Sequence, residues 1–161
     1  MKLFVMRHAA ADDAAASLHD FDRTLTTKGR KRAHDVAKAL LAAKEVPDLI
    51  ISSPLVRALQ TAEIVASVVA PPEPVGVRQE LTPEGRAQAL VLELCTAGIK
   101  SVMLVGHEPG VSSLMHDLVG ESGWNTPFAK SMVVALKVDD SGAAKVRWIL
   151  EPKSLHITPL R

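Results

Sequence analysis

Residues 2–9 read KLFVMRHA, a short apolar stretch that ends on Arg7 and His8. Positions 2–6 place apolar side chains on both faces of an extended chain, which is typical of a buried central strand in a parallel sheet. Similar apolar runs alternate with helical patterns along the rest of the sequence. We therefore predict an α/β fold: a three-layer α/β/α sandwich with a mainly parallel central sheet and a C-terminal β-hairpin.

Other short apolar runs extend this predicted sheet. Three of them are strand candidates of the same kind: 49–51, 75–77 and 101–105. Near the C-terminus, 132–138 and 145–150 flank Asp-Asp-Ser-Gly, a turn sequence that favours a β-hairpin between the two runs. The last residues contain Pro152 and Pro159, and we expect little regular structure there.

Four helices are predicted from apolar residues that recur every three or four positions. They cover 33–44, 54–69, 83–94 and 111–118. Two of them start at a Ser-Pro or Thr-Pro pair, Ser53-Pro54 and Thr82-Pro83. We interpret the serine or threonine as the N-cap and the proline as the first helical residue, where its missing N–H costs no hydrogen bond.

The composition is that of an ordinary globular protein. Of 161 residues, 47% are apolar and 23% are charged, and we predict one domain spanning 1–161. The formal net charge of +1 gives no indication of a nucleic-acid or membrane partner. No segment approaches the roughly 20 apolar residues of a membrane span. Cys95 is the only cysteine and excludes an intrachain disulfide, so we expect a cytoplasmic protein, and we expect a monomer.

Two histidines occupy equivalent places in this layout. His8 follows the first predicted strand, and His107 follows the strand at 101–105. The carboxyl ends of parallel strands meet at one edge of a sheet, so both side chains should face one crevice. Arg7 lies beside His8, and Arg57 falls on the first turn of a predicted helix whose N-terminus favours anions. Together these residues predict a phosphate site.

The chemistry of phosphoryl transfer suits these residue types. A neutral imidazole can attack phosphorus and form a covalent phosphohistidine that water later hydrolyses. Arginine forks match the phosphoryl oxygens, and a second imidazole can donate one more hydrogen bond to them. Each residue alone would more often be structural: an arginine-histidine pair at a strand end, a loop histidine or a solvated helix arginine. Their joint occurrence at matching strand ends favours the functional interpretation.

Four stretches of the chain resemble motifs of a known family. FVMRHA, SSPLVRALQTA and VMLVGHEPG resemble, in order and spacing, the conserved blocks of the histidine phosphatase (phosphoglycerate-mutase-like) superfamily. DFDRTLTTKGRKRA is similar to a segment of its small SixA-type phosphohistidine phosphatases. The resemblance spans nearly the whole chain. It implies that Arg7, His8, Arg57 and His107 form the phosphate pocket, with His8 as the phosphoacceptor, and that no metal or cofactor is needed.

The proton donor is less clear from the sequence. Larger members of the superfamily carry an acidic residue in an insertion over the pocket, and here only a short stretch separates the second and third predicted helices. Glu80, in RQELTP, is the best candidate by position, although a plain surface glutamate is an equal interpretation. The loop after His8 offers four further carboxylates: Asp12, Asp13, Asp20 and Asp22.

These observations lead to one hypothesis with two alternatives. We expect a phosphatase that acts on phosphohistidine in a partner protein through a phosphorylated His8. An alcohol leaving group needs a positioned acid worth about 10²–10⁴-fold, whereas a phosphorylated imidazole can leave as a neutral ring. The first alternative is a phosphatase for a small phosphoester or sugar phosphate. The second is a non-catalytic phosphate-binding adaptor domain.

Overall fold

The computed structural model describes residues 1–14 and 19–160. Within these residues, seven strands form one sheet and four α-helices cover it. The strands are β1 (Lys2–Arg7), β2 (Leu49–Ser52), β3 (Gly76–Val77), β4 (Ser101–Gly106), β5 (Val133–Val138), β6 (Ala144–Glu151) and β7 (His156–Pro159). The helices are α1 (Thr27–Ala42), α2 (Val56–Val69), α3 (Ala87–Thr96) and α4 (Gly110–Val119).

The strand order is β3-β2-β4-β1-β5-β6-β7. The first four strands in this order pair in parallel, and β5, β6 and β7 continue the sheet as an antiparallel meander. The predicted C-terminal hairpin is therefore confirmed as β5 and β6. The expectation of an irregular tail is wrong: the exposed edge of β6 has backbone groups that need partners, and the tail satisfies them as β7.

The three-layer arrangement is confirmed by the side chains of β1, which alternate between two cores. Leu3 and Val5 belong to the core formed with α3 and α4. Phe4 and Met6 belong to the core formed with α1 and α2. All four are fully buried, as a central strand covered on both faces requires. No helix in the described part of the chain is long and apolar enough to cross a membrane.

The two predicted proline-led helix starts are wrong. Helix α2 begins at Val56 with Leu55 as its N-cap, so the Ser53-Pro54 pair precedes the helix. Helix α3 begins at Ala87, four residues after Pro83. The Thr82 hydroxyl instead donates to a backbone carbonyl of the preceding 3-10 turn. In both places the shortest hydrogen bond of the hydroxyl is to a group outside the helix, His107 Nε2 for Ser53 and the Gln79 carbonyl for Thr82.

Candidate active site

The pocket lies where β1 and β4 end side by side. The two strands run in parallel register, with Arg7 paired to Gly106, and the His8 N–H donates to the Gly106 carbonyl at 3.0 Å. His8 and His107 therefore leave the sheet at the same edge. Their ring centroids are 5.0 Å apart, with the planes tilted by 52°. The structure brings these two histidines together as the strand positions predicted.

His8 is buried, and its protonation follows from one contact. Its Nδ1 lies 2.7 Å from the Ala9 carbonyl oxygen. Because a carbonyl can only accept, Nδ1 carries the ring proton and Nε2 keeps a free lone pair. Burial, followed by the positive charges of Arg57 and Arg7, lowers the His8 pKa to about 4, although the Ala9 contact opposes this. The ring is neutral at physiological pH.

Thr61 fixes the loop that carries His8. Its hydroxyl accepts a hydrogen bond from the Ala9 N–H at 3.0 Å and donates to the Arg57 carbonyl at 2.7 Å. This buried hydroxyl therefore ties the loop after β1 to the first turn of α2. Sequence reasoning placed Thr61 inside a helix and assigned it no role, because its partner Ala9 lies 52 positions earlier in the chain.

His107 is held by Ser53, whose hydroxyl lies 2.7 Å from Nε2. The other ring nitrogen, Nδ1, is buried and has no hydrogen-bond partner among the described residues. A hydroxyl can donate as well as accept, so Ser53 can donate to Nε2, which leaves the ring proton on Nδ1 as a donor that no described residue uses. Burial, followed by the nearby His8, lowers the His107 pKa to about 3.

The two arginines approach the histidines from different elements. Arg7 ends β1, and its Nη1 donates to the Phe128 carbonyl at 2.7 Å. Arg57 is the second residue of α2, as predicted for the first turn, and its side chain is 6% exposed. Its Nη1 donates to the Asp20 carbonyl at 2.9 Å and its Nη2 to an Asp20 carboxylate oxygen at 3.2 Å.

Buried donors remain unused on both guanidiniums. The Nε atoms of Arg7 and Arg57 are buried and lack a hydrogen-bond partner within residues 1–14 and 19–160. Burial lowers the Arg7 pKa, although the nearby Glu108 carboxylate opposes this. One buried and one half-buried arginine, each with a buried donor to spare, lie beside two neutral imidazoles and form a site complementary to a compact oxyanion.

The carboxylates considered as proton donors differ in their contacts with the pocket. Glu80 and His107 line a common small cavity of about 10 Å³, but both Glu80 carboxylate oxygens bond the Arg78 guanidinium. That ion pair lowers the Glu80 pKa and favours the ionised carboxylate, and the role of Glu80 as proton donor stays a prediction. Asp12 accepts from the Thr24 hydroxyl at 3.0 Å. The Asp20 carboxylate contacts Arg57, one of the two pocket arginines.

Comparisons with known proteins agree with this geometry. The family model described as "Histidine phosphatase superfamily (branch 1)" matches residues 3–82. The phosphohistidine phosphatase SixA of Escherichia coli is 33% identical over 161 residues, which cover 98% of each chain. An uncharacterized protein of Picosynechococcus sp. is 36% identical over 151 residues, covering 91% of this chain and 89% of its own. The chain therefore belongs to the histidine phosphatase superfamily, and it is a phosphatase of that superfamily.

The similarity extends to a solved structure. The protein histidine phosphatase SixA complexed with tungstate matches with a TM-score of 0.89 and 30% sequence identity. The match covers 97% of this chain and 100% of that one. Tungstate is a tetrahedral oxyanion, and the pocket described above presents the donors that such an ion requires.

Proposed function

We propose that this phosphatase removes phosphoryl groups from phosphohistidine in a partner protein, through a covalent phosphohistidine on His8. The neutral His8 ring supports this proposal most directly, since its bond to Ala9 directs the Nε2 lone pair away from the backbone. The buried Arg57, the half-buried Arg7 and a second histidine surround this nucleophile. The proposed route needs no metal or cofactor.

In the first step, His8 Nε2 attacks phosphorus, and the bond between phosphorus and the substrate imidazole breaks. If the other nitrogen of the substrate ring carries a proton, that ring departs as neutral imidazole with the electron pair of the broken bond. In the second step, water attacks the phosphorus on His8, releases inorganic phosphate and restores the neutral ring. Arg7 and Arg57 stabilise the negative charge on the phosphoryl oxygens, and His107 donates one hydrogen bond to them.

The choice of substrate rests on the acids near the pocket. An alcohol leaving group depends on a positioned acid for about 10²–10⁴-fold of the rate. Glu80 is bound to Arg78, and Asp20 is held ionised because bonds from Arg23 and then Arg57 lower its pKa. An imidazole leaving group has no such requirement. The full-length similarity to a phosphohistidine phosphatase also supports this substrate class.

The experiment is phosphate release from a phosphohistidine-containing protein by wild type and by His8→Ala. We expect the variant to lose at least about 10³-fold in rate and the wild type to retain a phosphoryl group, labile in acid and stable in alkali, on His8. His34→Asn is the matched control, because His34 lies exposed on α1 and should retain full activity. EDTA should leave the rate unchanged.

Three results would contradict the proposal in different ways. Equal activity in wild type and His8→Ala would show that His8 is not the nucleophile. A strong preference for small phosphoesters over the phosphorylated protein would show that the substrates are small phosphoesters and not phosphohistidine proteins. Oxyanion binding without turnover on any substrate would favour an adaptor domain instead.

A further inference from the structure

The Arg57 guanidinium is already engaged in the resting pocket, and the group that engages it is an anion. We propose that the Asp20 carboxylate occupies the side of Arg57 that a phosphoryl group needs, and that bound phosphoryl displaces it. Asp20 thereby weakens the binding of free oxyanions, including the phosphate product. This inference rests on the proposed function, because it assumes that Arg57 holds the phosphoryl oxygens.

Two contacts from Asp20 differ in kind. The backbone carbonyl accepts from Arg57 Nη1 at 2.9 Å and belongs to the 3-10 turn Asp20–Asp22. The carboxylate accepts from Nη2 at a longer 3.2 Å. The Asp20 side chain is 59% exposed, whereas that of Arg57 is 6% exposed. A carboxylate in solvent can rotate away at low cost, while the carbonyl continues to hold the guanidinium in place.

The carboxylate also has a second cation to which it can remain bound. Its other oxygen bonds Arg23 Nη1 at 3.0 Å, and Arg23 is itself anchored through its Nε to the Asp12 carbonyl at 2.7 Å. When a phosphoryl group takes Nη2 of Arg57, Asp20 can keep its pair with Arg23. The displaced carboxylate therefore remains a charge-paired group at the edge of the pocket.

The consequence is discrimination between tethered and free phosphoryl groups. A phosphoryl group and a carboxylate at the same guanidinium repel each other. A phosphorylated protein makes further contacts outside the pocket that offset this repulsion, whereas inorganic phosphate does not. Product release is therefore favoured over product retention after the second chemical step.

The test is calorimetric titration of the full chain with inorganic phosphate and with tungstate, in wild type, Asp20→Asn, Asp20→Ala and Asp22→Asn. We expect both Asp20 variants to bind phosphate about tenfold more tightly, because one like charge near the ligand is removed. Asp22→Asn is the matched control: it removes the same charge from the same 3-10 turn and should change the affinity less than about twofold. Neither Asp20 substitution removes the backbone carbonyl contact.

A second arm uses Arg23. Arg23→Gln should weaken phosphate binding in the wild type, because the displaced carboxylate loses its other cation, and should have little effect in the Asp20→Asn background. Equal or weaker binding by both Asp20 variants would show that the carboxylate positions Arg57 and would overturn this inference alone. Absence of oxyanion binding in every variant would overturn the phosphoryl pocket and this inference together.

Discussion

Two arginine–carboxylate clusters of this molecule use the same groups in opposite ways. At the pocket, the buried Arg57 meets one exposed carboxylate, Asp20. At the surface, the partly exposed Arg78 meets two, Glu80 and Glu93. In the first cluster the buried guanidinium of Arg57 keeps a donor without a partner among the described residues. In the second, two carboxylates bind the more exposed guanidinium of Arg78. Burial of the cation, not the presence of an ion pair, distinguishes an anion site from a structural contact.

The pKa shifts follow the same division. Bonds first from Glu93 and then from Glu80 raise the Arg78 pKa, and bonds from Arg78 are the largest cause of the lowered pKa of each glutamate. These groups stabilise each other's charges in water, and such pairs contribute little free energy. In the pocket, burial first and then the charges of Arg57 and Arg7 lower the pKa of His8. Burial and the pocket arginines together keep this ring neutral.

The largest effect that this comparison predicts comes from removing each arginine in turn. Arg57→Ala should lower kcat/KM by about 10³-fold, because an arginine that stabilises transferring phosphoryl oxygens is worth at least that much. Arg78→Ala should lower kcat/KM by less than about threefold, since exposed ion pairs contribute little free energy and Arg78 has no contact with the four pocket residues among the described ones. Steady-state kinetics on a phosphohistidine protein measure both. Similar losses of kcat/KM in the two variants would show that the buried Arg57 and the partly exposed Arg78 do not differ in their contribution to activity.

A smaller effect is expected from pH, through the pocket histidines. The His8 pKa is about 4 in the folded chain and near its ordinary 6.5 in the unfolded chain. As pH falls from about 6.5 to about 4, the unfolded state therefore binds a proton that the folded state refuses, and the free energy of unfolding decreases. His107, with a pKa of about 3, acts in the same direction. Stability from these rings is complete above about 6.5.

Urea unfolding at several pH values measures this dependence. Wild type should lose stability steadily across the interval, and His8→Asn should show a shallower slope because one of the two rings is gone. Titration of the His8 ring itself near 6.5 in the folded protein, followed by NMR with its resonances identified through His8→Asn, would contradict the buried, neutral state assigned to it.

The parts of this site that the sequence predicted are those that a strand position determines. The apolar runs before His8 and His107 and one general property of parallel sheets were sufficient to place the two rings together. Arg57 followed from its position near the start of a helix. These inferences use only the positions of apolar residues within single strands and helices, and the sequence shows those positions directly.

The contacts that complete the site were not predictable in this way. Ser53 bonds a histidine 54 positions later, and its position before a proline indicated a helix cap instead. Asp20 contacts Arg57 across 37 positions, and nothing local distinguished it from Asp12, Asp13 or Asp22. Contacts of this kind depend on the direction in which each side chain points after the helices and strands have packed. The pairing of the tail with β6 likewise depends on an edge that exists only in the folded sheet.

The smallest expected effect concerns Glu80, whose role as proton donor remains a prediction from the sequence. Its carboxylate bonds the Arg78 guanidinium through both oxygens, so donating a proton would require breaking that pair and protonating an anion whose pKa is lowered. We therefore expect Glu80→Gln to change kcat on a phosphohistidine protein by less than about twofold. Asp20→Asn should be measured in the same assay for comparison, because the Asp20 carboxylate contacts the pocket arginine Arg57. A loss of 10²-fold or more in Glu80→Gln, confined to ester substrates, would restore Glu80 as the acid, since general acids contribute about that much and only an alcohol leaving group depends on one.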